Sequence, residues 1–127
     1  MSVESTKIID GFAYEVTSHE FKVRVDVSEK LGGKNSAPNP HDYLEIALAG
    51  CTAITVQMYA KRKGIPLEYS DVKITITAEG AHNEILREIK FVGDLTEEQK
   101  QSLFAIAEKC PIHKFISAGA KIESRMV

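Results

Sequence analysis

The sequence predicts an α+β domain with antiparallel strands, and three observations predict it. Two runs, Phe21-Lys22-Val23-Arg24-Val25-Asp26-Val27 and Val72-Lys73-Ile74-Thr75-Ile76-Thr77-Ala78, alternate apolar and polar residues, the period of a half-buried strand. Residues 39 to 63 form a long apolar stretch bounded by helix start and stop signals. The strand runs also come in neighbouring pairs joined by turns instead of alternating with helices, which favours antiparallel sheets.

Taken in order, residues 7 to 27 read as a hairpin. Ile8, Phe12, Tyr14 and Val16 are its first apolar positions, with Asp10-Gly11 as a weak turn or bulge signal. Thr17-Ser18-His19-Glu20 turns the chain into the second strand, where Phe21, Val23, Val25 and Val27 share one face and Lys22, Arg24 and Asp26 the other. Residues 28 to 40 carry Gly32-Gly33, Pro38 and Pro40 and read as a loop without a regular element.

The helix that follows has Asn39 as N-cap, Pro40 as first helical residue and Asp42 in the first turn. Lys61-Arg62-Lys63 suits the C-terminal end of its dipole, and Gly64 and Pro66 stop it. Leu44, Ile46, Leu48, Cys51, Ile54, Val56, Met58 and Tyr59 put apolar groups on nearly every face, so this helix is expected to be buried all round. Residues 71 to 79 and 85 to 92 form a second strand pair around the turn Gly80-Ala81-His82-Asn83. A second helix starts at Thr96-Glu97-Glu98-Gln99, the spacing of a capping box, and Pro111 interrupts it just after Cys110. Residues 119 to 127 alternate again and are expected to close the order β-β-α-β-β-α-β. One chain has too few strands to cover a helix apolar on all sides, which predicts an obligate homodimer.

At 127 residues with 43% hydrophobic content the chain is expected to be a single domain over 1–127. A net charge of −2, with no basic run and no phosphate-cradling glycine loop, argues against nucleic acid. The stretch 44–60 is interrupted by Glu45, Thr52, Thr55 and Gln57, so a buried helix is a better reading than a membrane span. The polar N-terminus has no signal-peptide core. A cytoplasmic location with both cysteines as reduced thiols is the expectation.

Cys51 and Cys110 are the two cysteines. A cysteine in a buried helix is by itself an ordinary small core residue. Cys110 differs because it precedes a proline-initiated helical turn, whose backbone donors favour a thiolate. If the two meet, one thiolate can attack a peroxide and become a sulfenic acid, and the other can condense with it to a disulfide. Cys110-Pro111-Ile112-His113 also has a metal-ligand spacing that His41 and Cys51 could complete. Ten residues of helix separate His41 from Cys51, about 15 Å by helical rise, so zinc is the weaker reading. His41 and Asp42 also fit as plain first-turn residues, and Arg24 as a solvated charge on the polar face of its strand.

The run Asn39-Pro40-His41-Asp42-Tyr43-Leu44-Glu45-Ile46-Ala47-Leu48-Ala49-Gly50-Cys51-Thr52-Ala53 resembles the helix motif of the OsmC/Ohr family, and Thr55 to Gly64 continues the likeness to its OsmC-like branch. Cys110-Pro111-Ile112-His113 resembles that branch's Cys-Pro-Val-His signature, and Leu31-Gly32-Gly33-Lys34-Asn35 and Gly93-Asp94-Leu95-Thr96 fit in the same order. The resemblance implies the OsmC-like fold, with antiparallel sheets wrapped around two long central helices in an intertwined homodimer. It also implies a cofactor-free and metal-free peroxidase acting on organic hydroperoxides, with hydrogen peroxide a possible second oxidant. Cys51 matches the peroxidatic cysteine and Cys110 the resolving one, and the implied reductant is a dithiol or a lipoylated protein. The family's acidic residue, usually glutamate, falls on Asp42 here. The arginine it holds in the best-characterised branch matches no motif; strand position selects Arg24 first and Arg87 second. The alternative is a non-enzymatic redox sensor or small-ligand-binding dimer with the same pocket.

Overall fold

The computed structural model describes residues 2–127. The architecture is α+β with two small antiparallel sheets, and the chain divides into two compact units, one running to Leu44 and the other from Glu45 to Val127.

The first unit is a three-stranded meander of β1 (Ser5–Asp10), β2 (Ala13–Ser18) and β3 (Phe21–Val25). The single hairpin expected over 7 to 27 is therefore a strand short. The register slips between Ile8 and Asp10, and Gly11, at φ +56°, then reverses the chain, so the Asp10-Gly11 signal is both bulge and turn. The alternating face of β3 is not covered: Phe21 is 65% exposed and Val23 40%.

Asp26 departs furthest from its expected place on a polar face. The strand ends at Val25, and Asp26 turns inward and is buried. Its carboxylate accepts from the Val27, Lys34 and Ser36 amides and from the Ser36 hydroxyl. The loop after β3 thus folds around a buried anion, with a 3-10 turn at Glu29–Leu31 where no regular element is expected. Gly33 is required there, because an added Cβ would lie 2.2 Å from the Val27 carbonyl oxygen.

Helix α1 (Pro40–Lys63) begins with a reciprocal cap. Asn39 Oδ1 accepts from the Asp42 amide and Asp42 Oδ2 accepts from the Asn39 amide, each at 2.9 Å. The helix is not buried all round within the chain. It buries one stripe, Leu48, Thr52, Val56 and Ala60, while Leu44, Ile46, Ile54 and Met58 stay exposed.

In the second unit β4 (Leu67–Ala78) pairs with β5 (Glu84–Gly93), each somewhat longer than expected. Thr96 and Gln99 form the full capping box of α2 (Glu97–Ala107), and α3 (Pro111–Ala118) restarts after Cys110. The core joins the buried stripe of α1 to β4 and α2 through Val56, Ala60, Leu67, Leu103 and Ala107, with Ile89 and Phe91 of β5 packed against it. Residues 119–127 are not the expected last strand: no strand among the described residues pairs with them, and they are exposed.

Candidate active site

Helices α1 and α3 bring the two cysteines together. Cys51 sits in the middle of α1 and is partly exposed, whereas Cys110, at the N-cap of α3, is fully buried. Each thiol acts on the ionisation of the other, so the two side chains are neighbours. Cys51 Sγ is also 3.9 Å from Thr55 Oγ1, one turn along α1. Pro111 lets α3 start abruptly after Cys110, which places the cysteine beside the Ile112 and His113 amides at the start of that helix.

These surroundings separate the two thiols. Burial pushes Cys51 up from the ordinary thiol value, and its neighbour Cys110 pushes it further, against the Ile112 amide and the Thr55 hydroxyl. Burial alone would raise Cys110 as well. The Cys51 thiol, the His113 and Ile112 amides and the Thr52 hydroxyl outweigh it and draw Cys110 below the ordinary value.

Thr52 and Arg87 complete the surroundings of the pair. Thr52 is fully buried on the inner stripe of α1, and its hydroxyl lies 2.7 Å from the Leu48 carbonyl oxygen. Arg87 Nη1 donates to Thr52 Oγ1 at 3.1 Å. The Arg87 side chain is only 9% exposed and meets Glu108 Oε1 at 3.6 Å, and Glu108 Oε2 in turn lies 3.3 Å from His113 Nε2. Arg87, Glu108 and His113 line a cavity of about 250 Å³ with Leu48, Ile85 and Phe104. A second cleft, of about 370 Å³, includes Thr55, which reaches Cys51. Met58, Tyr59, Ile106 and Pro111 give it apolar walls, and Arg62 and Lys109 edge it with positive charge.

Asp42 and Arg24 belong to the first unit. Asp42 is engaged in the cap of α1. Arg24 lies opposite Glu15 in the sheet, and its backbone carbonyl accepts from Tyr43 Oη at 2.6 Å. No group of three or more His, Cys, Asp or Glu residues placed to hold a metal ion occurs among the described residues. No helix among them is long and apolar enough to cross a membrane.

Thr52 is the neighbour that sequence reasoning missed, and Arg87 the one it ranked second. The signal for Arg87 lies in parity. In β5 the residues Ile85, Arg87, Ile89 and Phe91 turn inward and Glu84, Leu86, Glu88 and Lys90 outward, so a cation occupies a core-facing position. A charge there requires an internal partner.

The family model for OsmC-like proteins matches residues 33–125. Among solved structures, the chain is similar to a Psychrobacter arcticus protein described as an osmotic stress induced and detoxification response protein, with 18% identity, TM-score 0.76, and coverage of 90% of this chain and 87% of that one. It is similar to an OsmC-like protein from Mycoplasma pneumoniae, with 17% identity, TM-score 0.71, and coverage of 92% and 88%. It is also similar to an organic hydroperoxide resistance protein from Legionella pneumophila, with 24% identity, TM-score 0.57, and coverage of 90% of each chain. No curated protein matches it. At these identities the solved structures speak for the fold, and the family model speaks for descent: the chain belongs to the OsmC-like protein family.

Proposed function

We propose that this protein is a cofactor-free thiol peroxidase that reduces organic hydroperoxides, with hydrogen peroxide a possible second oxidant. The observation that carries the reading is the pair of neighbouring free thiols, one partly exposed and one buried, on adjoining helices. Cys51 is the attacker because it is the sulfur a peroxide can reach. Its attack on the O–O bond transfers one oxygen to sulfur, giving a sulfenic acid and an alkoxide that leaves as the alcohol. The Cys110 sulfur then displaces the sulfenic oxygen as water, forming the Cys51–Cys110 disulfide before over-oxidation. A dithiol, free or carried as a lipoyl group on a protein, restores both thiols by exchange.

The apolar cleft at Thr55 suits the organic part of such a substrate. The orienting roles of Asp42 and Arg24 form a separate part of the proposal: Arg24→Met slows Cys51 oxidation if the role is real and leaves it unchanged if not. The full reading takes residues 1–127 as one OsmC-like domain, because a unit of 44 residues whose buried side chains include little beyond Ala13 and Asp26 is too small to hold a core alone. It also takes the functional form as an intertwined homodimer around two long central helices, one from each chain.

The test is intact-mass analysis of the reduced protein after one equivalent of cumene hydroperoxide, with peptide mapping. The expected result is rapid loss of two hydrogens, mapped to a Cys51–Cys110 link within one chain. Cys51→Ser abolishes turnover and Cys110→Ser leaves sulfenic or over-oxidised Cys51; full turnover by Cys51→Ser would overturn the assignment. A second reading, a redox sensor or ligand-binding dimer without turnover, draws support from the raised pKa of Cys51. Oxidation that stops after one equivalent in the presence of excess dithiol would favour it.

A further inference from the structure

The cleft at Thr55 carries a charge pattern that the reaction proposed above leaves unused. It runs along one face of α1, where Thr55, Tyr59 and Arg62 follow one another at helical spacing, and Ile106, Lys109 and Pro111 close it from the α2–α3 junction. Its volume of about 370 Å³ is ordinary for a small-ligand site. One end is marked by Thr55, whose Oγ1 lies 3.9 Å from Cys51 Sγ. Arg62 marks the other, with its guanidinium 5.7 Å from the centroid of the Tyr59 ring.

Between these ends the walls are apolar, through Met58, Tyr59 and Ile106, and no acidic residue lines them. Arg62 and Lys109 are exposed, and neither forms an ion pair with a carboxylate among the described residues. Glu108, next to Lys109 in the chain, is engaged with Arg87 and His113 and lines the separate cavity they share. The cleft therefore offers an apolar path with a thiol in reach of one end and two uncompensated cations on its edge. Eight residues of α1 separate Cys51 from Tyr59, the ring that Arg62 leans over, which is about 12 Å by helical rise. An extended chain crosses that distance in about ten bonds.

We propose that Arg62 and Lys109 are specificity-determining residues that hold the carboxylate of a straight-chain organic hydroperoxide, with its alkyl chain along the cleft and its peroxide at Cys51. This rests on the peroxidase reading above and deepens it by naming the substrate class, a hydroperoxy carboxylate in which about ten bonds separate the two groups. The guanidinium fork matches a carboxylate, and an ester of the same chain keeps the apolar contacts and loses the charge. In the reaction the Cys51 sulfur takes the terminal oxygen as the O–O bond breaks. The Cys51 thiol proton ends on the leaving alkoxide, so the product is a hydroxy carboxylate. The Cys110 thiol then condenses with the sulfenic acid, releasing water and closing the disulfide.

The experiment has two arms, both on the full-length protein as it assembles. In the first, the initial rate of Cys51 oxidation is followed by quenched intact-mass analysis. The oxidants are decanoic acid bearing a hydroperoxide on its terminal carbon, its methyl ester, and the same pair built on butanoic acid. The decanoic acid is expected to react about tenfold faster than its ester, the worth of two exposed ion pairs. Added salt should shrink that ratio. The butanoic pair, too short to span the cleft, should show no such ratio. In Arg62→Gln/Lys109→Gln the decanoic ratio should fall toward one, and Arg62→Lys together with unaltered Lys109 should keep most of it. Equal rates for the decanoic acid and its ester, or a ratio that survives in the double glutamine variant, overturn the proposal.

The second arm needs no chemistry. Decanoate carries the chain and the carboxylate without the peroxide, and it is titrated into the reduced protein labelled with 13C on the methionine methyls. A saturable shift of the Met58 methyl is expected, about tenfold weaker in the double glutamine variant. A Met58 methyl that does not respond overturns the proposal. Disulfide formation with equal acid and ester rates leaves the peroxidase reading standing and removes the carboxylate anchor from it. Conversely, decanoate binding by a protein whose thiols resist every hydroperoxide refutes the peroxidase reading and the substrate role together, and leaves a carboxylate-binding cleft.

Discussion

Asp26 shows how much a single buried residue organises. Its carboxylate is pushed down to about 2 by the Ser36 hydroxyl, then by the Ser36 and Val27 amides, against burial and with help from the Lys34 amide. The loop binds the ionised form, so this stabilisation is complete above the ordinary carboxylate range and is lost as pH falls toward about 2. Asp26→Asn is expected to lower the urea midpoint at pH 7 and to leave a smaller drop in that midpoint between pH 5 and pH 2 than the unaltered protein shows. Equal acid sensitivity in the two proteins would deny Asp26 this role. The site is read by the same kind of accounting. Cys51 and Cys110 were legible because their residue types carry chemistry, whereas Thr52 was not, because a hydroxyl beside a cysteine acquires meaning only once its partners are known.

Elements announce their ends more clearly than their faces. The Asn39–Asp42 and Thr96–Gln99 spacings were readable and both form reciprocal caps. Thr96→Ala removes one such cap from an exposed helix start, and a loss of about 1 kcal/mol is expected in denaturant unfolding. No effect on the unfolding midpoint would mean that packing of Leu103 and Ala107 alone holds α2. Faces were harder to read. Apolar residues all round α1 indicated burial all round, yet the chain covers only the stripe from Leu48 to Ala60. The second helical stretch broke where Pro111 indicated, and that break is what sets Cys110 at the start of α3.

On the scale of the molecule, the uncovered surfaces belong to the elements whose patterns called for cover. Ile46, Ile54 and Met58 line the outer side of α1, and Phe12 and Phe21 stand open on the meander, each at least half exposed. Surfaces of this kind on long, regular elements mark an interaction site, and a second copy of the chain is the partner proposed above. Ile54→Glu places a charge on that helix face and is expected to reduce the mass measured by light scattering from two chains to one. A single-chain mass for the unaltered protein at micromolar concentration would remove the dimer from the proposal. The open tail over 119–127 fits the same account, since a strand without an edge to pair with has no reason to form.

Caps, turn residues and the period of apolar positions are local, and for that reason the sequence by itself determined the element order up to the missing third strand and the absent last one. The same local spacing carried the two cysteine motifs and the family they resemble. Tertiary structure alone decided what no local rule contains: that Asp26 turns inward, that Arg87 occupies a core-facing position, and that Thr52 is its partner there. Those outcomes depend on partners distant along the chain. The energy of a buried charge or hydroxyl lies in the partner and not in the residue.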